Sequence, residues 1–159
     1  MIKENRLRFL ISFGAGFISV LLLHQGVLAL LNRVGFIPVS PYSLESTQPL
    51  GIPQIFSSAF WGGLWGIALS LFAFRIKGNT RYWVTTLLFG AFTPTAVFLF
   101  LVLPLKGLPI AGGWQPNLIA TGLMVNGAWG LGVASVIRWL SREGGTKKGG
   151  EKRVSRQLF

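Results

Sequence analysis

Four long stretches of this chain contain no Asp, Glu, Lys or Arg: residues 9–31, 54–74, 82–105 and 115–137. Each reaches or exceeds the roughly 20 apolar residues an α-helix needs to cross a ~30 Å hydrocarbon core. Lipid offers no partner for a backbone N–H or C=O, so a spanning segment must be a helix or belong to a closed barrel. Barrel strands alternate apolar and polar positions over short segments, and none of the four stretches does so. The pattern predicts an all-α membrane protein, a four-transmembrane-helix bundle over residues 1–140. A basic, flexible tail is expected over residues 141–159, where the pairs Gly144-Gly145 and Gly149-Gly150 resist ordering. The first stretch follows Lys3, Arg6 and Arg8 as a signal peptide would. Its 23 apolar residues are too many for one, and no small-x-small cleavage site follows, so an uncleaved first span is expected.

The polar segments between the stretches set the orientation. Of 15 basic residues, 13 fall into three groups. Lys3, Arg6 and Arg8 precede the first span, and Arg75, Lys77 and Arg81 separate the second from the third. Arg138, Arg142, Lys147, Lys148, Lys152, Arg153 and Arg156 follow the fourth. An even number of spans puts all three groups on one side, which the positive-inside rule makes cytoplasmic, so both termini are expected there. A net charge of +11 would otherwise suggest nucleic acid. The tail lacks interleaved aromatics, so no nucleic-acid partner is expected, and its basic residues are assigned to anionic lipid surface. The outer connection, residues 33–53, carries Pro38, Pro41, Pro49 and Pro53, which forbid regular helix and favour a stiff, extended path. Tyr42 and Trp114 are candidate interfacial anchors. A cap over the outer mouth of the bundle is the alternative to a plain interfacial loop.

Spans two and four resemble each other: Gly63-Leu64-Trp65-Gly66-Ile67-Ala68 matches Gly127-Ala128-Trp129-Gly130-Leu131-Gly132 in order. Spans one and three share Phe13-Gly14-Ala15 and Phe89-Gly90-Ala91, and Gly35-Phe36-Ile37-Pro38 is echoed by Gly107-Leu108-Pro109. A duplicated helical hairpin is expected, its two copies related by an axis along the membrane normal. Small residues supply the close approach that drives association in lipid. Ala59, Gly62, Gly63, Gly66 and Ser70 line one face of span two, Gly122, Asn126 and Gly130 one face of span four, and Ser12, Gly16, Ser19 and Gly26 a groove on span one. These seams serve either a compact bundle or a contact with another chain. Thr93-Pro94-Thr95 should kink span three.

No span holds a charged side chain, which argues against ion-coupled transport. Six polar residues remain as a candidate cluster: His24 and Gln25, Trp61, Thr93 and Thr95, and Asn126. Interhelical hydrogen bonds are the first expectation. The alternatives are a constriction for a small neutral solute, or His24 as axial ligand to a haem or chlorophyll-type pigment. A second axial histidine would have to come from another chain, since His24 is the only one. Otherwise no cofactor is expected. The chain has no Cys and no Asp, so thiolate chemistry, Cys-bound metal and a Ser/His/Asp triad are excluded, and no His/carboxylate metal cluster is available. No catalytic residue is assigned.

Several segments resemble a family of small four-span bacterial integral membrane proteins without assigned function. They are His24-Gln25-Gly26, Ala59-Phe60-Trp61-Gly62-Gly63-Leu64-Trp65-Gly66, Phe89-Gly90-Ala91 with Pro94, Pro104-Leu105-Lys106-Gly107, Gly113-Trp114 and Asn126-Gly127-Ala128-Trp129-Gly130. The resemblance covers about residues 9–140. It implies a multi-pass protein of the bacterial inner or thylakoid membrane and carries over no catalytic residue. The expected role is non-enzymatic: a small accessory or structural subunit packing against other membrane helices, with membrane lipids and other subunits or further copies of itself as partners.

Overall fold

A computed structural model describes the backbone of residues 2–157 and the side chains of residues 6–140. Four of its helices are long and apolar enough to cross a membrane. Span one is Arg6–Arg33, span two Gln54–Ala73, span three Asn79–Leu105 and span four Pro116–Leu140. The helices overrun the apolar stretches at their basic ends, taking in Arg6, Arg8, Arg33, Arg81 and Arg138. A helix does not stop where hydrocarbon does, because a long Arg stem lets the charge reach the headgroup layer. The last helix continues as Pro116–Gln157. The side chains of residues 141–157 lie outside the described part, and the expectations for Arg142, Lys147, Lys148, Lys152, Arg153 and Arg156 lie there with them.

Only a third to under half of each apolar window is buried inside the molecule, 33–44%. Leu10, Leu22, Leu30, Leu71 and Phe92 are exposed on the outside. That much outward apolar surface would drive aggregation in water and is what lipid requires. The interior is built from small residues and single polar groups instead: Ala15, Ala59, Ala73, Ala134, Ser12, Ser70 and Thr86 are all buried.

The spans pair in antiparallel hairpins, one with two and three with four, and spans one and four join the pairs. Glycine makes the pairing possible. A Cβ on Gly16 would run into the Gly62 carbonyl, and one on Gly66 would lie 2.5 Å from the Ser12 carbonyl oxygen and 3.0 Å from the Gly16 Cα. Those neighbours are backbone and cannot swing aside. The second hairpin makes the same contact: a Cβ on Gly130 would lie 2.5 Å from the Thr86 oxygen and 3.0 Å from the Gly90 Cα. The residue that takes the place of Gly90 in the first hairpin is therefore Gly16, two positions beyond the Gly14 of the sequence echo. Gly14 and Gly26 have open space where a Cβ would go. The expected groove on span one divides accordingly. Ser12 and Gly16 face span two, Ser19 faces Gly132 of span four, and Gly26 takes no part. Trp129, 2% exposed, fixes the central join by donating its indole N–H to the Gly16 carbonyl at 3.0 Å.

Two spans depart from α geometry in the halves away from Arg8 and Arg81, at π-helical Val20–His24 and Phe98–Val102. In span one the Gln25 N–H is shared between the carbonyls of Val20 and Leu22, passing over Leu21. In span three, helix Asn79–Val97 contains Pro94, where the sequence expected a kink, and the irregular turn begins four residues after it. Both spans then end in the same glycine turn. Gly35 (φ 71°) donates to Asn32 and Phe36 to Leu31, while Gly107 (φ 72°) donates to Pro104 and Leu108 to Leu103. This is the Schellman pattern, whose left-handed residue only glycine adopts without strain.

The connection between spans one and two is folded rather than simply extended. Ser46–Thr47 and Ile52–Pro53 form a two-stranded antiparallel ladder, and Ile37 is buried against Leu28 and Val125. Asn117 of span four donates to the Phe36 carbonyl at 3.1 Å, so this loop crosses part of the end of the bundle opposite Arg75, Lys77 and Arg81. The connection between spans three and four contains Ala111–Trp114, four consecutive residues at positive φ between 51° and 69°. Ala111 and Trp114 bear the left-handed strain, about 1–2 kcal/mol per residue, and burial of Ala111 against Leu99 and Leu103 offsets part of it.

Candidate functional site

The six polar residues of the membrane region do not converge. Asn126 and Thr95 meet across spans three and four, with the Asn126 Nδ2 donating to the Thr95 Oγ1 at 2.9 Å. Gly122, one turn before Asn126, lets Thr95 approach, since a Cβ there would lie 2.8 Å from the threonine methyl. The helix seam thus positions the hydrogen bond. Thr93 is half-buried and joins neither group.

Gln25 engages the loop between spans one and two instead of the bundle. Its side chain is buried, and its Oε1 accepts the Tyr42 backbone N–H at 2.8 Å. The Tyr42 hydroxyl in turn donates to the Leu21 carbonyl at 3.1 Å, the carbonyl that the Gln25 N–H passes over. Tyr42 has φ 52°, which costs free energy in a residue with a Cβ. Two hydrogen bonds to span one hold it there. Tyr42, which the sequence suggested as an interfacial anchor, is thus latched to span one. Trp114 stays exposed, edge-to-face with Phe100 at 6.0 Å.

His24 stands beside this latch at the end of the π turn. Its Nδ1 is buried without a hydrogen-bond partner, as is the hydroxyl of Thr121 on span four. Trp61 leaves the cluster altogether. It is 59% exposed and faces outward, stacked edge-to-face on Phe60 at 6.1 Å. Depth along the helix placed Trp61 level with Asn126, but the glycine face that packs span two on span one points its ring the other way.

A second polar constellation, unforeseen in the sequence, lies at the basic end of the bundle. The Arg138 guanidinium sits over the rings of Tyr82 and Trp83, at 5.3 and 5.7 Å from their centroids. The Tyr82 hydroxyl donates to the Ala134 carbonyl at 2.8 Å, and the Trp83 indole N–H to the Asn79 Oδ1 at 3.2 Å. At the same end, Arg8 lies over Phe74 at 5.4 Å. Aromatic residues just inside a basic boundary were the available signal. Their pairing with Arg138 needs the fold.

The glycine seams named from the sequence close within the chain, except at Gly26, which faces open space. Gly62, Gly63 and Gly66 meet Ser12, Phe13, Gly16 and Val20 of span one, and Gly130 meets span three. Ala59 is fully buried beside them. Among the described residues, no group of three or more His, Cys, Asp or Glu is placed to hold a metal ion. Comparisons with protein-family models, with curated proteins and with solved structures find no match to this chain.

Proposed function

We propose that this protein is a non-enzymatic integral membrane subunit that packs against other membrane helices in a larger assembly, through an aromatic ridge on span two rather than through its glycine seams. The seams are spent on the chain's own fold, which leaves a different surface for partners. Trp61 carries the reading. It lies near the middle of span two and is flanked by Phe56 and Phe60, each about half exposed. Tryptophan belongs at the membrane–water boundary, where water accepts its N–H. In hydrocarbon an unpaired N–H is costly, and a neighbouring helix offering a carbonyl or hydroxyl would relieve it. The location that goes with this role is a bacterial inner or thylakoid membrane, both termini cytoplasmic, as the basic residues and the family resemblance imply.

The permease alternative has less to support it. It needs His24, Thr95 and Asn126 around one passage, whereas Asn126 and Thr95 bond each other and Gln25 holds the outer loop.

A photo-crosslinking residue at position 61, activated in the native membrane, tests the proposal. The expected result is one protein adduct in stoichiometric yield, absent when the same probe replaces Leu22 on the exposed face of span one. Lipid adducts alone at both positions would overturn it.

A further inference from the structure

Below Arg138 lies a cavity of about 240 Å³, lined by Phe74, Gly78, Asn79, Tyr82, Ile137 and Arg138 among others. It opens where the connection between spans two and three meets the last turn of span four. We propose that this cavity binds the phosphate headgroup of one anionic phospholipid, with Arg138 as the phosphate-binding residue.

Three observations support this. First, the guanidinium is positioned before any ligand arrives, because the two rings beneath it are themselves held by hydrogen bonds to Ala134 and Asn79. An arginine stacked on aromatic faces keeps its planar fork of N–H donors free at the edge, the geometry that matches phosphate oxygens in pairs. Second, nothing in the described part of the chain neutralises it. Glu45 is the only acidic residue among the described side chains, and it lies in the first outer connection, where its carbonyl accepts the Gln54 N–H. Arg75, Lys77 and Arg81 are exposed on the segment beside the cavity, so the local field favours an anion. Third, the lining is amphipathic. Ala73, Phe74 and Ile137 form an apolar wall, and Phe74 is also exposed on the outside of the bundle. A ligand with an anionic head and an acyl chain satisfies both halves of that lining, and a free phosphate satisfies one. The volume is below the ~300–1,000 Å³ of pockets for drug-sized ligands, which suits a headgroup whose tails stay in the bilayer.

This differs from diffuse attraction of basic residues to a charged surface, which has no fixed stoichiometry and is worth about 1 kcal/mol per residue. It is also separate from the proposed partner surface, which centres on Trp61 near the middle of span two, whereas the cavity lies at that helix's end.

The test is native mass spectrometry of the full-length protein, delipidated in mild detergent and titrated with phosphatidylglycerol, phosphatidylcholine or inorganic phosphate. The expected result is one tightly held phosphatidylglycerol, with phosphatidylcholine binding about tenfold more weakly, because its phosphate is the same but its choline cation meets the field of Arg75, Lys77 and Arg81. Arg138→Gln should abolish the tight binding of phosphatidylglycerol, and Lys106→Gln, at the opposite end of the bundle, should leave it intact. Arg138→Lys keeps the charge and stem but not the fork, so it should weaken binding several-fold; it also carries the test if Arg138→Gln does not fold. Retention of the lipid by Arg138→Gln, equal loss in Lys106→Gln, or displacement of the lipid by equimolar inorganic phosphate would each overturn the proposal.

Discussion

The glycines of this chain do two unlike jobs, and neighbouring positions separate them. Gly16, Gly66, Gly90 and Gly130 let backbone meet backbone, whereas Gly14 and Gly26 face open space. Alanine at any of the first four must push two helices apart, and overpacking of this kind costs about 1–3 kcal/mol. Alanine at Gly14 or Gly26 meets nothing and removes the entropic penalty of a helical glycine, worth roughly 0.5–1 kcal/mol. Thermal unfolding in detergent should therefore show Gly16→Ala and Gly66→Ala melting several degrees below the parent, with Gly14→Ala level with it or slightly above. The larger Gly62→Leu and Gly66→Leu should prevent folding, while Leu22→Ala on the exposed face should not. Uniform losses at all these positions would refute the seam.

Among the elements, the coupling of a proline-rich loop to an irregular turn matters most for stability at the outer end. The π turn in span one and the Tyr42 latch fit together, because the carbonyl passed over by Gln25 is the one that Tyr42 reaches. Tyr42→Phe removes that hydrogen bond and leaves the Gln25 contact to the Tyr42 backbone in place. Interhelical bonds of this kind average about 0.6 kcal/mol, so the loop should open a few-fold more often. Hydrogen exchange at the Gln54 and Ile55 amides, which bond to Glu45 and Ser43 of the loop, should accelerate by that factor, with no change at Trp129. Equal exchange in parent and variant would show that the latch does not hold the loop. The sequence could not reveal this pairing. Charge-free length marks a span because lipid sets one simple requirement, and it placed the span boundaries between residues 31 and 116 within three residues. A π turn instead depends on which side chain takes a carbonyl released along the helix, and Tyr42 is 17 residues from Gln25. The candidate cluster failed for a related reason. Depth along a helix can be read from sequence, but rotation about its axis depends on the packing face, and that face turned Trp61 outward and Thr95 inward.

At the scale of the whole molecule, the antiparallel order brings the basic segments to one end: Arg8 lies over Phe74, and Arg138 over Tyr82. The other end carries Arg33, Lys106 and the folded loop that contains Glu45. Translocation of a short loop is resisted by Lys and Arg and little affected by Asp and Glu, so the end with Arg75, Lys77 and Arg81 should stay in the cytoplasm. The chain has no cysteine of its own, which makes single-cysteine labelling unambiguous. Glu45 and Lys77 are both exposed, and neither side chain makes a contact on which the bundle depends. In intact cells a membrane-impermeant maleimide should modify Glu45→Cys and leave Lys77→Cys untouched until the membrane is permeabilised. The reverse pattern would invert the orientation and put the Arg138 cavity in the outer leaflet. Labelling of both in intact cells would mean that one of the four helices does not cross, which the even count of spans and the clustering of 13 of 15 basic residues argue against.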